Sequence, residues 1–218
     1  ENDNFTGNMA QNIQNAFSDI IDEVSIIEAA KEVCPITKKH KYSVVTVARL
    51  APDKAFMRYL SCIKKIVEKI KDVEFWIIGG GSEEEKMRQY IKTNSLEEYV
   101  KMPGKQKNPY KFVNAADLYF CCSYREGFST SCQEAALLGI PVISVDVDGA
   151  QELKELSGCG VVLKNDEDGI CKGLVKILED EKQIAKWKEQ AKASKEVFYK
   201  SERVKQANSI LKAGMDNA

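Results

Sequence analysis

Short apolar runs alternate with longer charged segments along most of this chain of 218 residues. From residue 42 onward, six runs rich in β-branched and aromatic residues predict strands. These runs are residues 42–48, 73–79, 99–103, 117–123, 141–146 and 160–164. Most of them are continuously apolar, which is typical of strands that are covered on both faces.

The charged segments carry the spacing of amphipathic helices. The predicted helices are residues 23–33, 53–70, 83–94, 108–115, 130–138, 149–156, 167–179, 181–197 and 201–213. The alternation of strand and helix predicts an α/β fold, a Rossmann-like, doubly wound parallel sheet of about six strands with helices on both faces and further helices at the C-terminal end. Ligands of such sheets bind at the carboxyl ends of the strands.

The same pattern predicts one main domain with two appendages. Residues 1–41 form a lead-in or linker segment with one helix, residues 42–198 form the main domain, and residues 199–218 form a C-terminal helix and tail. Because the chain begins at Glu1 and its first methionine is Met9, we expect it to be an excised domain or a processed form.

Composition and charge exclude several classes of protein. The chain is 44% hydrophobic and 30% charged, and its net charge of −1 favours neither nucleic acid nor an anionic membrane. No apolar run approaches the ~20 residues of a membrane span. The seven cysteines show no Cys-x-x-Cys spacing, so we expect free thiols in a reducing, cytoplasmic compartment. With His40 as the single histidine, a zinc site is not expected.

Two acids flank a run of small hydroxyl residues in the segment YREGFSTSCQEAALLGIPV, residues 124–142. Thr130 and Ser131, followed by Gln133 and Glu134, fit a capping box at the start of a helix, so Glu134 is either a helix cap or a ligand contact. Glu126 has no such structural explanation. The helix would begin at the carboxyl edge of the sheet, where its N–H groups and partial positive charge favour a phosphate.

Two basic residues lie at the same predicted edge. Arg49 and Lys54 are on the loop that follows the first strand. Basic residues in such a loop are usually only solvated, but two of them beside a helix N-terminus could hold an anion without a metal.

Three glycines, residues 79–81, follow the second predicted strand. They indicate either a tight turn or close approach of the backbone to a ligand. Glu83 and Glu84 replace the last glycine of a dinucleotide fingerprint, which disfavours a dehydrogenase. Asp146 and Asp148 could be read as a metal pair. We favour a strand end and a helix cap, because no third acidic ligand is evident.

Taken in order, these features resemble the C-terminal, donor-binding half of a family 4 (group 1) retaining glycosyltransferase with the GT-B fold. The features are Arg49-x4-Lys54, the three glycines, NPYKFVNAADLYFCCS, and Glu126-x7-Glu134 with LLGIPVI. The resemblance covers roughly residues 42–180, with a weaker likeness at residues 19–32.

The resemblance implies a role for each matching residue. Arg49 and Lys54 would bind the diphosphate of a nucleotide sugar, Glu134 would hold the ribose, and Glu126 would lie beside the transferred sugar, so that Arg49, Lys54 and Glu126 are the implied catalytic residues. The implied donor-binding residues are Arg49, Lys54, Gly81, Lys105, Gln106, Glu126, Gly127, Phe128, Ser129, Thr130 and Glu134.

The resemblance also implies an activity, which is hexosyl transfer with retention to a glycan or lipid-linked acceptor in polysaccharide biosynthesis. The implied donor is a UDP-sugar in preference to a GDP-sugar, and no cofactor, metal or nucleic acid is implied. The N-terminal half of such enzymes would bind the acceptor, so this chain alone is expected to be inactive. The full-length enzyme is expected in the cytoplasm, with peripheral association at the inner face of the membrane.

The sequence departs from the family pattern at two places and leaves other functions open. Ala55 follows Lys54 where the family usually has glycine, so its methyl group is expected to crowd the loop. Ser129 and Thr130 replace residues that are commonly proline or glycine and an aliphatic residue. One alternative is a non-catalytic nucleotide-sugar-binding module or a subunit of a split glycosyltransferase. The other is an unrelated doubly wound domain in which Glu134 only caps a helix.

Overall fold

The computed structural model describes residues 23–127, 129–199 and 202, and its strands form a single parallel sheet. The strands are β1 (Tyr42–Val47), β2 (Val73–Ile78), β3 (Val100–Gly104), β4 (Leu118–Cys121), β5 (Val142–Val145) and β6 (Val161–Leu163). They lie in the order β3-β2-β1-β4-β5-β6. The predicted six-stranded, doubly wound fold is therefore confirmed.

One helix of the described residues precedes the first strand, and others connect successive strands or follow the last one. They are α1 (Glu23–Ala30), α2 (Phe56–Lys69), α3 (Glu84–Thr93), α4 (Tyr110–Ala115), α5 (Thr130–Leu137), α6 (Ala150–Ser157), α7 (Glu167–Glu179) and α8 (Glu181–Ser194). Short 3-10 turns precede α2, at Pro52–Lys54, and follow α8, at Lys195–Phe198. The helix predicted at 201–213 lies outside the described residues, apart from residue 202. Within the described part, no helix has both the length and the apolar character needed to cross a membrane.

Two hydrophobic cores cover the two faces of the sheet. Every residue of β2 is buried, and its alternate side chains point to opposite cores, with Phe75 and Ile77 on one face and Trp76 and Ile78 on the other. Helices α2, α3 and α7 pack on the first face, whereas α1, α4, α5 and α6 pack on the second. Each large side chain removed from water contributes on the order of 2 kcal/mol. This double burial explains why the strand sequences are continuously apolar.

The chain changes direction in the sheet between β1 and β4. From β1 the strands proceed outward to β2 and β3, and from β4 they proceed the other way to β5 and β6. A crevice opens outside the carboxyl ends of the strands at such a switch point, and ligands of doubly wound sheets bind there.

Side chains replace backbone pairing as β1 and β4 approach this crevice. The two strands pair at Val44 with Leu118 and at Val45 with Tyr119. Beyond these pairs, Thr46 Oγ1 donates to the carbonyl of Phe120 at 2.8 Å. The phenol of Tyr119 accepts from Val47 N at 3.2 Å and donates to Val47 O at 3.0 Å. The backbone groups at the split are therefore satisfied without a continuous ladder.

A buried carboxylate joins the amino-terminal edge of the sheet to the lead-in segment and to α8. Asp117 accepts hydrogen bonds from the backbone and hydroxyl of Ser43, at 2.9 and 3.1 Å. It also pairs with Lys38 of the lead-in and, at 2.6 Å, with Lys188 of α8. Burial alone would raise the pKa of Asp117, but the hydrogen bonds from Lys188 and Lys38 outweigh it and hold that pKa below its usual value.

Amide side chains fix α1 on the same domain. Asn108 Nδ2 donates to the carbonyl of Ala29 at 2.8 Å, and Asn114 Nδ2 donates to the carbonyl of Ala30 at 3.1 Å. These carbonyls belong to the last turn of α1, where the regular pattern of helical hydrogen bonds ends. The carbonyl of Ala29 also accepts from Glu32 N at 3.3 Å, just beyond the helix. The helix predicted in the lead-in is therefore present and packs on α4.

Candidate donor-binding site

The loop after β1 and the loop after β4 are joined to each other at the crevice. Tyr124 N donates to the carbonyl of Asp53 at 2.9 Å, and Cys122 Sγ lies 3.1 Å from the carbonyl of Lys54. These contacts bring Lys54 to Glu126, with Nζ 2.7 Å from Oε1. The sequence thus identified two residues that the fold places in direct contact, although 72 positions separate them.

The ion pair between Lys54 and Glu126 is largely withdrawn from solvent. The exposed fractions of the two side chains are 19% and 16%. Ser123 Oγ also donates to Glu126 Oε1, at 2.7 Å. A charge-assisted pair with a second hydrogen bond at this burial is held more firmly than a surface pair. Glu126 therefore holds the lysine in place.

A cleft of about 410 Å³ lies beside this pair, between the loops that follow β1, β2 and β3. Its walls include four of the predicted donor-binding residues, which are Arg49, Gly81, Lys105 and Gln106. The Arg49 side chain is 72% exposed, and its Nη2 lies 3.9 Å from a carboxylate oxygen of Asp53. Arg49 is thus at the same edge as Lys54 and faces solvent.

The outer glycines of the triplet are required by close packing of the first two loops. A Cβ atom on Gly79 would lie 1.9 Å from the carbonyl oxygen of Ala48, and one on Gly81 would lie 2.3 Å from that of Leu50. Both distances are far inside van der Waals contact. The tight-turn interpretation therefore holds for Gly79 and Gly81. A Cβ atom on Gly80 would be less crowded, since it would lie 3.3 Å from the Lys105 side chain and 3.6 Å from Glu84 Oε2.

Glu134 is on α5 and does not close a capping box. The N-cap residue is Ser129, and its side chain makes no capping hydrogen bond. Glu134 Oε1 instead accepts a hydrogen bond from the phenol of Tyr110 at 3.0 Å. The interpretation of Glu134 as a helix cap is therefore wrong, because the side chain points to α4 instead of to its own first turn.

The pair formed by Tyr110 and Glu134 is half-buried. Burial raises the pKa of Glu134, and the hydrogen bond from Tyr110 partly offsets that rise. Burial and then the charge of Glu134 raise the pKa of Tyr110 to about 12. The phenol therefore remains a donor and occupies one carboxylate oxygen, which leaves the other oxygen to accept from a ligand.

The loop that enters α5 leaves room at Gly127. A Cβ atom there would meet no atom within 4 Å, and the backbone of Gly127 is outside the left-handed region. Ser129 Oγ lies 3.3 Å from Ser131 Oγ, and Thr130 is exposed at the helix start. Phe128 lies outside the described residues. Neither packing nor backbone conformation therefore demands a glycine at position 127.

The acidic pair after β5 is not arranged as predicted. The N-cap of α6 is Gly149, with a left-handed φ of 74°, and no side chain caps the helix. The prediction that Asp148 caps this helix is therefore wrong, because the left-handed glycine takes the capping position itself. Among the residues that the structure describes, no group of three or more His, Cys, Asp or Glu side chains could hold a metal ion.

Two residues of the site were not identified from the sequence. Ser123, which holds Glu126, is part of a predicted strand, and Tyr110 lies 24 positions before Glu134. No local spacing rule connects either one to its partner, so only the fold reveals these contacts.

Solved glycosyltransferases share this architecture. HepE of Anabaena, in complex with UDP, superposes with a TM-score of 0.67 at 23% identity, over 79% of this chain and 49% of HepE. WaaG, a glycosyltransferase involved in lipopolysaccharide biosynthesis, superposes with a TM-score of 0.67 at 18% identity, over 89% of this chain and 52% of WaaG. The fold is that of one Rossmann-like half of a GT-B glycosyltransferase.

The sequence comparison defines the family. The model of the family "Glycosyl transferases group 1" matches residues 28–194, so the chain belongs to this family of glycosyltransferases. This finding confirms the resemblance on which the site residues were assigned.

Three curated relatives are similar to parts of the chain. The 2-deoxystreptamine N-acetyl-D-glucosaminyltransferase of Niallia circulans is 30% identical over 63% of this chain and 36% of its own length. The poly(glycerol-phosphate) alpha-glucosyltransferase of Bacillus subtilis is 29% identical over 69% of this chain and 23% of its own.

The third relative is the N-acetylgalactosamine-N,N'-diacetylbacillosaminyl-diphospho-undecaprenol 4-alpha-N-acetylgalactosaminyltransferase of Campylobacter jejuni. It is 30% identical over 81% of this chain and 47% of its own length. The chain therefore spans from about a quarter to about half of the length of these relatives.

Proposed function

We propose that this chain is the donor-binding half of a retaining, metal-independent glycosyltransferase that transfers a hexosyl group from a UDP-sugar to a glycan or lipid-linked acceptor. The observation that carries the proposal is the contact of 2.7 Å between Lys54 and Glu126 at the mouth of the crevice. It places a cation suited to a diphosphate directly beside an acid suited to sugar hydroxyls.

The surrounding residues fit the remaining parts of such a donor. Arg49 and Lys54 supply two positive charges for the diphosphate, and the N-terminus of α5 adds its partial positive charge. The free oxygen of Glu134 is suited to accept hydrogen bonds from the ribose hydroxyls. Lys105 and Gln106 line the cleft where we place the base.

The proposed chemistry follows from where charge develops during transfer. As the bond between the anomeric carbon and the diphosphate breaks, negative charge collects on the departing oxygen. Lys54, Arg49 and the N–H groups of α5 stabilise that charge, so the proposed reaction requires no metal. Glu126 is released from Lys54 by the incoming diphosphate and turns to the sugar.

The names of the relatives support the class of donor and acceptor. HepE binds UDP in its crystal, which favours a UDP-sugar here. Two relatives are named as alpha-transferases, which is consistent with retention. One acts on poly(glycerol-phosphate) and another on a diphospho-undecaprenol-linked sugar, so we propose a glycan or lipid-linked acceptor, bound by a part of the enzyme beyond this chain. We place the full-length enzyme at the cytoplasmic face of the membrane.

Calorimetric titration of the chain with UDP and with GDP, in EDTA, tests the proposal. We expect UDP to bind more tightly than GDP, and the variants Arg49→Ala and Glu134→Ala to weaken UDP binding by about tenfold or more. Lys172→Ala is the matched control, because Lys172 pairs with exposed Asp168 on α7, outside the cleft. Failure of the folded chain to bind either nucleotide contradicts the proposal, and binding that requires a divalent ion contradicts its metal independence.

A variant at Gly127 separates ligand contact from packing. Because a Cβ atom there meets open space, Gly127→Ala is expected to keep or slightly raise the thermal unfolding midpoint. If a donor occupies this space, the same variant weakens binding of a UDP-sugar by about tenfold. Unchanged binding of every UDP-sugar that the native chain binds would show that the donor does not approach Gly127.

A further inference from the structure

The backbone that leads from β4 to Glu126 is held by two side chains from other elements. Arg58, on α2, donates from Nη2 to the carbonyl of Cys122 at 2.8 Å. The same nitrogen donates to Asn165 Oδ1 at 2.7 Å, and Nη1 donates to the carbonyl of Asn165 at 3.1 Å. Asn165 lies on the turn between β6 and α7, 107 positions away. Arg58 thus joins two distant loops.

Asn165 extends this connection to the next residues of the loop. Its Nδ2 lies 3.4 Å from the carbonyl of Ser123, 3.3 Å from that of Tyr124 and 3.1 Å from that of Asp146. An amide nitrogen has two hydrogens, so three carbonyls share them. Three consecutive carbonyls of the loop after β4, at residues 122–124, are therefore held by the side chains of Arg58 and Asn165.

The planar face of the Arg58 guanidinium also packs on the loop after β4. The Cζ atom of its guanidinium lies 4.3 Å from the ring centroid of Tyr124, which is a cation–π contact. In the described part of the chain, Arg58 Nε is buried without a hydrogen-bond partner. A half-buried guanidinium with an unsatisfied nitrogen is costly. The hydrogen bonds that Arg58 does make, from Nη1 and Nη2, are all directed to the two loops.

We propose that Arg58 and Asn165 are positioning residues for Glu126. By fixing residues 122–124 they direct the Glu126 carboxylate toward Lys54, as observed, and toward the sugar when a donor is bound. Neither side chain lines the cleft beside Arg49 or the small cavity under Lys54, so both act through the loop. This inference rests on the proposed function, because it assigns the loop to recognition of the sugar and not of the nucleotide.

The test compares a nucleotide with its sugar-bearing form in the full chain. The variants are Arg58→Lys, which keeps the charge but removes the planar fork, and Asn165→Ala, with Asn94→Ala at the end of α3 as the matched control. The probes are UDP, UDP-glucose and UDP-N-acetylglucosamine in calorimetric titration. We expect UDP affinity to change by less than about twofold, and the affinity for the preferred UDP-sugar to fall by about fivefold to tenfold.

A double-mutant cycle distinguishes positioning from a general structural role. In a Glu126→Gln background, Asn165→Ala is expected to cause no further loss of UDP-sugar affinity, because the group that it positions has already been changed. An equal loss in both backgrounds, or an equal loss for UDP and UDP-sugar, overturns the inference. If the native chain binds no UDP at all, the proposed function fails instead.

Hydrogen exchange of the unliganded chain tests the positioning without any nucleotide. Both variants should raise the exchange rate of amides in residues 122–127 by about tenfold while amides of β2 stay protected, and Asn94→Ala should leave the loop unchanged. A loop that exchanges at the native rate in both variants is not held by Arg58 and Asn165, which overturns the inference whatever the ligand proves to be.

Discussion

At the scale of single residues, the contact between Tyr110 and Glu134 sets how the site responds to acid. In the proposed site, Glu134 accepts hydrogen bonds from ribose hydroxyls more strongly when it is ionised than when it is protonated. Burial raises the pKa of Glu134 and the phenol opposes that rise, so loss of the phenol moves the pKa further upward. If Glu134 binds the ribose, nucleotide affinity should decrease as the pH drops through the pKa of Glu134. Without the phenol that pKa is higher, so the decrease should begin at a higher pH.

The variant Tyr110→Phe tests this coupling. We expect UDP affinity to decrease by no more than about fivefold at neutral pH, the value of one hydrogen bond, and the acidic limb of the affinity profile to move to higher pH. The measurement is UDP titration across a series of buffers. The matched control is Tyr90→Phe, which also removes a tyrosine hydroxyl but lies on α3, packed against the core on the other face of the sheet. A profile that stays in place for Tyr110→Phe would show that Glu134 does not titrate in the binding step.

At the scale of elements, the turn that precedes α2 places Lys54 through an unusual alanine. Ala55 joins the 3-10 turn at Pro52–Lys54 to α2 with a left-handed φ of 57° and is buried. An L-residue pays about 1–2 kcal/mol for this conformation. Glycine would avoid that strain, but it would lose about 0.8 kcal/mol of methyl burial and about as much again in unfolded-state entropy. The opposing effects nearly cancel, which explains how alanine is accommodated where the family usually has glycine.

We therefore expect Ala55→Gly to change the free energy of unfolding by less than about 1 kcal/mol. Ala55→Val should lower it by more than about 2 kcal/mol, because a β-branched side chain is strained at positive φ and overfills the site. Denaturant unfolding of the three proteins measures both changes. Ala51→Val is the matched control, since Ala51 has an extended backbone and is also buried. A similar loss at both positions would show that volume, and not φ, is responsible.

The sequence predicted the elements more reliably than their ends. Strands β2, β4 and β5 are buried throughout and leave uninterrupted apolar runs, whereas the partly exposed edge strands β3 and β6 leave shorter ones that were still predicted. The helix at 167–179 begins and ends where it was predicted. The capping role predicted for Glu134 was wrong because the local pattern cannot include Tyr110, which binds Glu134 from another helix. The same limit applies to Asp148, since the sequence does not reveal that Gly149 adopts a left-handed φ.

The candidate site was predictable where the family pattern supplied it and not where side chains meet through the fold. Lys54 and Glu126 were assigned to one site in advance, and the structure brings them into contact. Arg58 and Asn165 lie in segments without any distinctive motif, and their interaction depends on α7 packing against α2. Such contacts follow from tertiary packing, so no local spacing could have revealed them.

At the scale of the whole molecule, Asp117 connects parts of the chain that are far apart in sequence. Its side chain is 9% exposed, whereas its partners Lys38 and Lys188 are 31% and 37% exposed. Because the folded-state pKa is below the unfolded one, the stabilisation is present at neutral pH and is lost as the pH falls through the folded pKa.

The variant Asp117→Asn should lower the free energy of unfolding at neutral pH by about 2 kcal/mol, less than for a fully buried pair because the lysine ends can turn to water. The difference from the native chain should shrink in acid, where the native carboxyl is protonated as well. Chemical unfolding at neutral and acidic pH measures both values. Asp72→Asn, whose carboxylate is mostly exposed, is the matched control and should have little effect at either pH. A difference that stays constant into acid would exclude the charge of Asp117 as its origin.

Among the strand pairs of the sheet, β1 and β4 share the fewest paired backbone positions. These strands share two paired positions, whereas β1 and β2 share six, and the side chains of Thr46 and Tyr119 complete the junction. Along this line between β1 and β4, the two halves of the sheet are joined by few backbone bonds and by side-chain hydrogen bonds. That line passes directly beneath the loops that carry Lys54 and Glu126. A molecule bound across both loops would add contacts between the two halves of the sheet. Its binding energy would then stabilise the folded domain as a whole against unfolding.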